Sequence, residues 1–316
     1  RGLPPAGLYA GPAGCPAPKG PVSRRLTHIV TQDEDGVRVD AVLRHALGLT
    51  GSVIRRIKWL DDGILLDGQK TFPNVLVAAG QVLDVAVDDP QRKPNILPAP
   101  GPLDVVFEDD HLVVVNKQAG ILVHPVVPEQ TDTLGNFLLW HYQVTGQRDT
   151  LFHPVHRLDR GTTGLLAVAK HPSAQTALKN QLHTEDFRRE YLAITVGTPS
   201  PLAGTVNAPI AHAPDSPIAH RVDPNGLRAV THYKTLRAGP LSLVSLLLET
   251  GRTHQIRVHL AHIGCPIFGD FLYGTEDPRI SRPALHSHAL TLRHPVTHAV
   301  TTFTQPLPED MKVLLG

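Results

Sequence analysis

A single carboxylate lies between two arginines in residues 156–165, where Asp159 follows Arg157 closely and precedes Arg160. Neighbouring guanidinium groups favour the ionised form of a carboxylate. An ionised carboxylate that faces a cleft can act as a nucleophile. The pattern predicts a strand, then a polar turn that contains Asp159, then a strand over residues 165–169. On this segment alone, a structural, salt-bridged aspartate explains the pattern as well as a catalytic one.

A second segment, residues 250–264, contains two arginines, three histidines and no acid. Apolar residues recur at helical spacing from Ile256 onward, which predicts a helix over residues 253–263. Arg252 and Arg257 lie near the start of this helix and on its other faces. A guanidinium group presented in this way can bind either a phosphate or a carboxylate.

The elements around these two segments have to bring them together. From residue 104 onward, strand patterns outnumber helical ones and do not alternate regularly with them. The patterns predict a helix over residues 172–183 and strands over residues 105–107, 112–115, 187–196 and 241–248. This combination predicts an α+β domain built on a mixed, mainly antiparallel β-sheet.

Residues 27–89 have a different pattern, with two short helices followed by short strands. Apolar spacing predicts a helix from Val39 to Leu47 and a second one capped by Ser52. The strands are predicted over residues 64–66, 75–77 and 82–85. We therefore expect a small α/β domain before the larger one.

The second of these helices is basic, because it carries Arg55, Arg56 and Lys58. Such a cluster can hold phosphate groups through non-specific Coulomb attraction. A solvated helix face is the alternative interpretation of the same three cations. The whole chain has a net charge of only +1, which gives no global sign of a nucleic-acid partner.

Composition sets the outer limits. The 316 residues allow two or three domains, and we expect them at residues 27–89 and 104–316. Residues 1–26, rich in Pro, Gly and Ala, predict a disordered tail, and the five prolines of residues 90–103 predict a semi-rigid linker. No apolar run approaches the roughly 18 residues that span a bilayer. With only two cysteines and no disulfide pattern, we expect a cytoplasmic protein without a membrane partner.

The two chemical segments together resemble the RluA/RluD family of RNA pseudouridine synthases. The family pattern His-Arg-Leu-Asp-x-x-Thr-(Ser/Thr)-Gly-Leu matches residues 156–165, and Gly-Arg-Thr-His-Gln-Ile-Arg-Val-His matches residues 251–259. Residues 189–193 resemble the family's Lys-x-Tyr-x-Ala strand, with Arg189 in place of the usual Lys. Further similarity in residues 110–125 and 285–295 extends the resemblance over nearly all of residues 103–307.

The resemblance implies a role for each matching residue. Asp159 would be the catalytic aspartate, Tyr191 would stack on the uracil and Arg257 would pair with Asp159. Ile256 would offer an apolar wall to the base, and Arg157 would fill the gap that a flipped-out uridine leaves. The remaining candidate substrate-binding residues of the matched segments are Arg252 and His254.

Residues 37–85 resemble the small RNA-binding domain named after ribosomal protein S-four, which would give Arg55, Arg56 and Lys58 a role in RNA binding. The resemblances imply structured RNA as substrate, with large-subunit ribosomal RNA as the first expectation and tRNA as the alternative. They imply no metal and no nucleotide cofactor. We further expect a monomer.

Two other functions compete with this interpretation. The 19 histidines suggest a metal-dependent hydrolase, with ligands taken from His254, His259, His262, His286 and His288. The chain has no His-Glu-x-x-His pattern and no cysteine pair at ligand spacing, however. A non-catalytic RNA-binding protein of the same fold is the second alternative. The presence of both Asp159 and Tyr191 favours the enzyme.

Overall fold

The computed structural model describes residues 24–87, 96–148, 150–182 and 184–316. The predicted tail lies outside the described residues up to residue 23, and the predicted linker lies outside them from residue 90 to residue 95. The prediction of a tail is wrong at residues 25 and 26, where a strand begins. This strand forms because Leu26 is buried and pairs with Val85 of a neighbouring strand.

The N-terminal part of the described chain forms an antiparallel sheet of four strands in the order β1-β4-β2-β3. Its elements are β1 (Arg25–Ile29), α1 (Val39–His45), α2 (Gly51–Ile57), β2 (Ile64–Leu66), β3 (Gln69–Lys70) and β4 (Val82–Ala86). Apolar residues of both helices pack on the sheet to form a core of their own. This core gives residues 25–87 a compact hydrophobic centre separate from that of the larger sheet.

Two local predictions in this region are wrong. Thr50, not Ser52, caps α2, because its side chain accepts a hydrogen bond from the Val53 amide at 3.4 Å. The expected strand at residues 75–77 is reduced to an isolated bridge between Leu76 and Arg38. The segment that contains Arg38 is too short to extend this pairing into a strand, because α1 begins directly after Arg38.

The larger part of the chain is built on one sheet of ten strands in the order β10-β13-β14-β9-β15-β8-β6-β5, with β16 paired to β15 and β7 paired to β8. The strands are β5 (Val105–Glu108), β6 (Leu112–Lys117), β7 (His153–Pro154), β8 (Thr163–Ala169), β9 (Arg188–Val196), β10 (Ala203–Asn207), β13 (Val230–Arg237), β14 (Leu241–Leu248), β15 (Leu285–Arg293) and β16 (Val300–Thr304). Of its strand pairs, only β8 and β15 run parallel. A separate hairpin is formed by β11 (Ile210–His212) and β12 (His220–Val222). The expected mixed, mainly antiparallel sheet is therefore confirmed.

Four helices accompany this sheet in the described chain: α3 (Leu134–Val144), α4 (Pro172–Gln181), α5 (Gln255–His262) and α6 (Glu309–Lys312). The sequence predicted α4 and α5 but not α3 or the single turn α6. Seven of the eleven residues of α3 are buried, so its apolar residues surround the helix and leave no clear one-sided period. None of the described helices has the length and apolar character needed to cross a membrane.

The segment before β8 departs from the predicted strand. The strand β7 ends at Pro154, and residues 156–162 form a loop without ladder hydrogen bonds to a neighbouring strand. Buried side chains donate hydrogen bonds to two carbonyl groups of this loop. The Lys117 ammonium donates to Arg160 O at 3.2 Å. The Arg282 guanidinium donates to Gly161 O at 3.4 Å. The loop that carries Asp159 is thus fixed by buried cations from other parts of the fold.

Candidate active site

The order of the central strands brings the predicted residues together. Asp159 lies in the loop before β8, and Tyr191 lies on β9, with β15 between the two strands. In the middle strand, Ser287 is paired with both Gly164 and Tyr191. A Cβ atom on Gly164 would lie 2.2 Å from the Ser287 carbonyl oxygen, so only glycine allows this close strand approach. The glycine of the Thr-Thr-Gly sequence therefore sets the spacing between the two site residues.

All seven site residues predicted in the larger domain line one cavity of about 440 Å³: Arg157, Asp159, Tyr191, Arg252, His254, Ile256 and Arg257. They come from the loop before β8, from β9, and from α5 and the loop before it. Tyr191 and Ile256 are buried, whereas Arg157 is exposed. The cavity thus combines a carboxylate, an aromatic ring, an apolar wall and several cations.

Asp159 and Arg257 form a long ion pair, with 3.9 Å between Oδ2 and Nη1. The Asp159 side chain keeps 20% of its surface exposed, so that it remains accessible from the cavity, while the Arg257 side chain is only 5% exposed. Arg160, which the sequence also places beside Asp159, instead donates from Nε to Gly120 O at 2.9 Å. Arg257 is therefore the cation held in place next to the candidate nucleophile.

The main partner of Arg257 is Asp270, a residue that the sequence analysis missed. Nε and Nη2 of Arg257 each donate to one oxygen of Asp270 at 2.7 Å, and Asp270 is fully buried. Burial opposes the charged guanidinium, but the hydrogen bonds and charge of Asp270, with a smaller contribution from Asp159, raise the pKa of Arg257. Asp270 therefore orients the guanidinium group so that Nη1 stays directed toward Asp159.

The loop of Asp159 rests on Lys117, whose Nζ donates to three backbone carbonyls, those of Gln118, Ile121 and Arg160. Burial lowers the pKa of Lys117 to about 7, although the negative charge of Asp159 acts in the opposite direction. The three carbonyl contacts join the turn after β6 to the loop. These contacts fix the loop, and the Asp159 carboxylate lines the cavity.

Comparisons with known proteins support the same conclusion. The model of the family described as RNA pseudouridylate synthase matches residues 111–262. A Bacillus subtilis protein described as an uncharacterised RNA pseudouridine synthase, YhcT, is 38% identical over 295 residues, which cover 92% of this chain and 96% of that protein. The chain belongs to the RNA pseudouridine synthase family. It is an isomerase that converts uridine in RNA to pseudouridine.

Two further relatives agree with this assignment. The ribosomal large subunit pseudouridine synthase D of Xanthomonas campestris is 37% identical over 94% of this chain and 93% of its own length. The solved structure of human RNA pseudouridylate synthase domain containing 4 aligns with a TM-score of 0.54 and 26% identity, over 66% of this chain and 90% of that one. The expected family and the expected α+β fold are both confirmed by these similarities.

Backbone and side-chain contacts hold the start of α5 in the enzyme. Gln255 is buried and its amide donates to Val230 O and to Thr231 Oγ1, both at 3.0 Å. Its carbonyl oxygen accepts from the Arg252 amide at 2.9 Å. The Gln of the matched Thr-His-Gln sequence therefore has a structural role, because it docks the start of the helix onto β13.

His254 adopts a left-handed backbone conformation, with φ of 56°, directly before α5. Its Nδ1 lies 2.9 Å from the hydroxyl of Tyr273, which also accepts from the His220 amide at 2.8 Å. The ring centre of Tyr273 lies 5.0 Å from the guanidinium carbon of Arg257.

Tyr273 is a second residue that the sequence did not single out. The signal for both missed residues was the short segment 269–274, where Asp270 stands among glycines and aromatic residues.

Four of the five histidines considered as metal ligands, all except His262, have at least one ring nitrogen in contact with another protein group. His259 is fully buried, and its two ring nitrogens contact Thr231 Oγ1 and Ala208 O, both at 2.9 Å. His286 Nδ1 contacts the Thr163 hydroxyl at 2.9 Å, and His288 Nδ1 contacts Gln305 O. Among the described residues, no group of three or more candidate ligands has a geometry that could hold a metal ion.

The structure does not bring the three cations of the N-terminal helix to the cavity. Arg55, Arg56 and Lys58 lie at the C-terminal end of α2, and none of them lines the cavity. The neighbouring Trp59 is 71% exposed, and the Lys58 ammonium lies 4.8 Å from its ring centre. These residues therefore form a separate basic surface.

Proposed function

We propose that the enzyme isomerises specific uridines in large-subunit ribosomal RNA and that Asp159 is its nucleophile. The observation that carries the proposal is the position of the Asp159 carboxylate, accessible in the cavity and 3.9 Å from a buried arginine. Relatives such as the ribosomal large subunit pseudouridine synthase D of Xanthomonas campestris support this RNA as the substrate.

The reaction breaks the bond between ribose C1′ and uracil N1 and forms a bond between C1′ and C5. The C5 proton is lost and N1 gains a proton, so the atoms balance without an oxidant or reductant. Asp159 promotes cleavage by adding to C1′, by adding to C6, or by assisting formation of a glycal. Since the positive charge of Arg257 is held beside it, the Asp159 carboxylate is paired and oriented in each of these routes.

The remaining cavity residues hold the flipped base. Tyr191 offers an aromatic face to the uracil, and Ile256 offers an apolar wall. Burial raises the pKa of Tyr191, so its hydroxyl stays protonated near neutral pH and can hydrogen-bond to the base. The exposed Arg157 at the rim fills the space that the uridine leaves, because flipping a base costs a few kcal/mol of stacking.

We also propose a division of labour along the chain. Residues 27–89 form an S-four-like domain that binds RNA through Arg55, Arg56 and Lys58, and the sheet from residue 104 to residue 316 performs the chemistry. A monomer is the proposed active form. The cytoplasm, where ribosomal RNA is modified, is the proposed location.

The substitution Asp159→Asn tests the nucleophile, because it keeps the size of the side chain and removes its charge. We expect pseudouridine formation in a target RNA to fall by at least about 10³-fold, with RNA binding retained. Unchanged activity would rule out Asp159 as the nucleophile.

Mapping pseudouridines in total RNA from a strain that lacks the gene tests the substrate. Missing sites in large-subunit ribosomal RNA support the proposal, and missing sites only in tRNA contradict it.

A further inference from the structure

The cavity extends beyond the residues that would hold the base. Its wall continues along α4, where Gln175, Lys179 and Leu182 line it. Five Lys or Arg residues line the cavity, against the single carboxylate of Asp159: Arg157, Lys179, Arg189, Arg252 and Arg257. A cavity with this excess of cations favours an anionic ligand.

Arg189 is the most unusual of these cations. It is only 5% exposed, yet Nε and Nη2 of its guanidinium group have no hydrogen-bond acceptor in the described part of the chain. A buried charged donor without an acceptor is costly, so native proteins keep few of them. Its position is also tightly confined, because a Cβ atom on Gly251 would lie 2.9 Å from Nη1.

His156, which lines the same cavity, has a second unpaired donor. Its Nε2 accepts a hydrogen bond from the Ala167 amide at 3.2 Å, so that the ring proton must be on Nδ1 when the ring is neutral. Burial, with the nearby charge of Arg189, lowers the pKa of His156 to about 3 and keeps the ring neutral. The Nδ1 atom is buried, and no acceptor for it lies within the described residues.

We propose that Arg189 and His156 form a phosphate-binding subsite that holds one of the two phosphodiester groups flanking the target uridine. The proposal rests on the proposed function, because RNA supplies the phosphate. A guanidinium group can donate two parallel hydrogen bonds to a phosphate, and His156 adds a third donor. Phosphate contacts of this kind fix the register of a nucleic acid on a protein.

The geometry of β9 explains why the bound phosphate belongs to the target nucleotide. Arg189 and Tyr191 are two residues apart on this strand and both are buried, so they share a face about 7 Å apart. A ribose–phosphate unit spans a distance of this size. The phosphate on Arg189 therefore sets how far the uracil reaches over Tyr191 and toward Asp159.

A chemical double-mutant cycle tests the subsite. The substrate is an RNA stem-loop that contains a mapped target uridine, made unmodified or with an uncharged methylphosphonate at either flanking position. At one position we expect the methylphosphonate to lower kcat/KM of the wild-type enzyme about tenfold to hundredfold. Arg189→Gln should lower kcat/KM by a similar factor on unmodified RNA, and the methylphosphonate at that position should then cost less than twofold more.

Arg188→Gln is the matched control, since Arg188 is the exposed neighbour on the opposite face of β9 and does not line the cavity. This variant should keep the full wild-type sensitivity to the methylphosphonate. If the methylphosphonate at each flanking position lowers kcat/KM of Arg189→Gln by the same factor as it lowers that of the wild type, the subsite is overturned. A wild-type enzyme that forms no pseudouridine in the RNA would instead contradict the proposed function.

Thermal unfolding shows whether Arg189→Gln is folded. If it is not, His156→Gln repeats the cycle, because the Gln carbonyl oxygen can still accept from the Ala167 amide while the Nδ1 donor is lost. We expect His156→Gln to lower kcat/KM less than tenfold and to lose part of the sensitivity to the same methylphosphonate. Full sensitivity in this variant would overturn the subsite.

Discussion

The two basic regions of the enzyme hold their cations in opposite ways. In the cavity, the Arg257 side chain is 5% exposed and is fixed by two 2.7 Å hydrogen bonds to Asp270. On α2, Arg55 and Arg56 are exposed to solvent. A buried, paired charge has a fixed direction and is weakly screened by salt, whereas exposed charges attract RNA from many directions and are screened within about 10 Å. The cavity is therefore suited to catalysis, and the surface formed by Arg55, Arg56 and Lys58 is suited to electrostatic attraction of RNA.

Removing the partner of the buried cation should have the largest effect on stability. Asp270→Ala leaves the Arg257 guanidinium buried without its counter-charge, which should lower the free energy of unfolding by about 3–5 kcal/mol. We expect kcat to fall as well, because Nη1 is no longer directed toward Asp159. Urea unfolding and single-turnover kinetics measure the two effects.

Asp277→Ala is the control for this change. Asp277 binds Arg279 with similar geometry, at 2.8 Å, but the Arg279 side chain is 58% exposed. Its loss should move the unfolding midpoint only slightly, since exposed ion pairs contribute little. Equal shifts for Asp270→Ala and Asp277→Ala would contradict the contrast between buried and exposed charges.

Acid should weaken a second ion pair, which Glu108 forms at the end of β5. Glu108 contacts His141 and Lys170 at 2.7 and 2.8 Å. Burial acts to raise the pKa of Glu108, but its hydrogen bonds to His141, Lys170 and Gln147 overcome this and lower it from 4.5 to about 2. A carboxylate with a lowered folded-state pKa stabilises the protein above pH 4.5 and loses this contribution as the pH falls toward 2.

Glu108→Gln should therefore be less stable than the wild type at pH 7, by roughly 1–3 kcal/mol, and the difference should shrink as the pH falls below 4.5. Denaturant unfolding from pH 7 to pH 3 measures it. Glu309→Gln is the control, since the Glu309 side chain is 79% exposed. A stability difference for Glu108→Gln that does not change with pH would show that packing, and not charge, accounts for the loss.

The three cations at the end of α2 should have the smallest effect on the chemical step. The triple change of Arg55, Arg56 and Lys58 to Gln should weaken RNA binding about tenfold at low salt and leave single-turnover kcat within twofold. The slope of log affinity against log salt should decrease by about two, since each lost phosphate contact contributes 0.7 to 0.9. A filter-binding titration at several salt concentrations gives both values.

Arg55→Lys with Arg56→Lys keeps the charge and should keep the salt slope, because the attraction is Coulombic and does not require a guanidinium. A large fall in kcat in the Gln triple variant would mean that α2 takes part in the chemical step. That result would remove the distinction between the two regions.

The reaction was predicted from two segments, residues 156–165 and 251–259, that resemble the RNA pseudouridine synthase family, because the pattern around Asp159 alone fitted a structural aspartate equally well. The carboxylate of Asp159 stands beside arginines within one segment, and Arg257 stands within one short helical pattern. The strands that hold these segments also have strong local patterns, so β9 and β14 were predicted to within a residue. These features are local, and local sequence is sufficient to specify them.

The tertiary structure alone decided which groups are paired. Asp270 lies 13 positions from Arg257, and no periodicity indicates that it would take the two best hydrogen bonds of the guanidinium group. Nor could the sequence show that Arg189, an ordinary cation in a strand pattern, would be buried with two donors that find no acceptor among the described residues. The partner of a buried charge depends on which strands become neighbours. Here β15, from the end of the chain, lies between β8 and β9 and sets the width of the site.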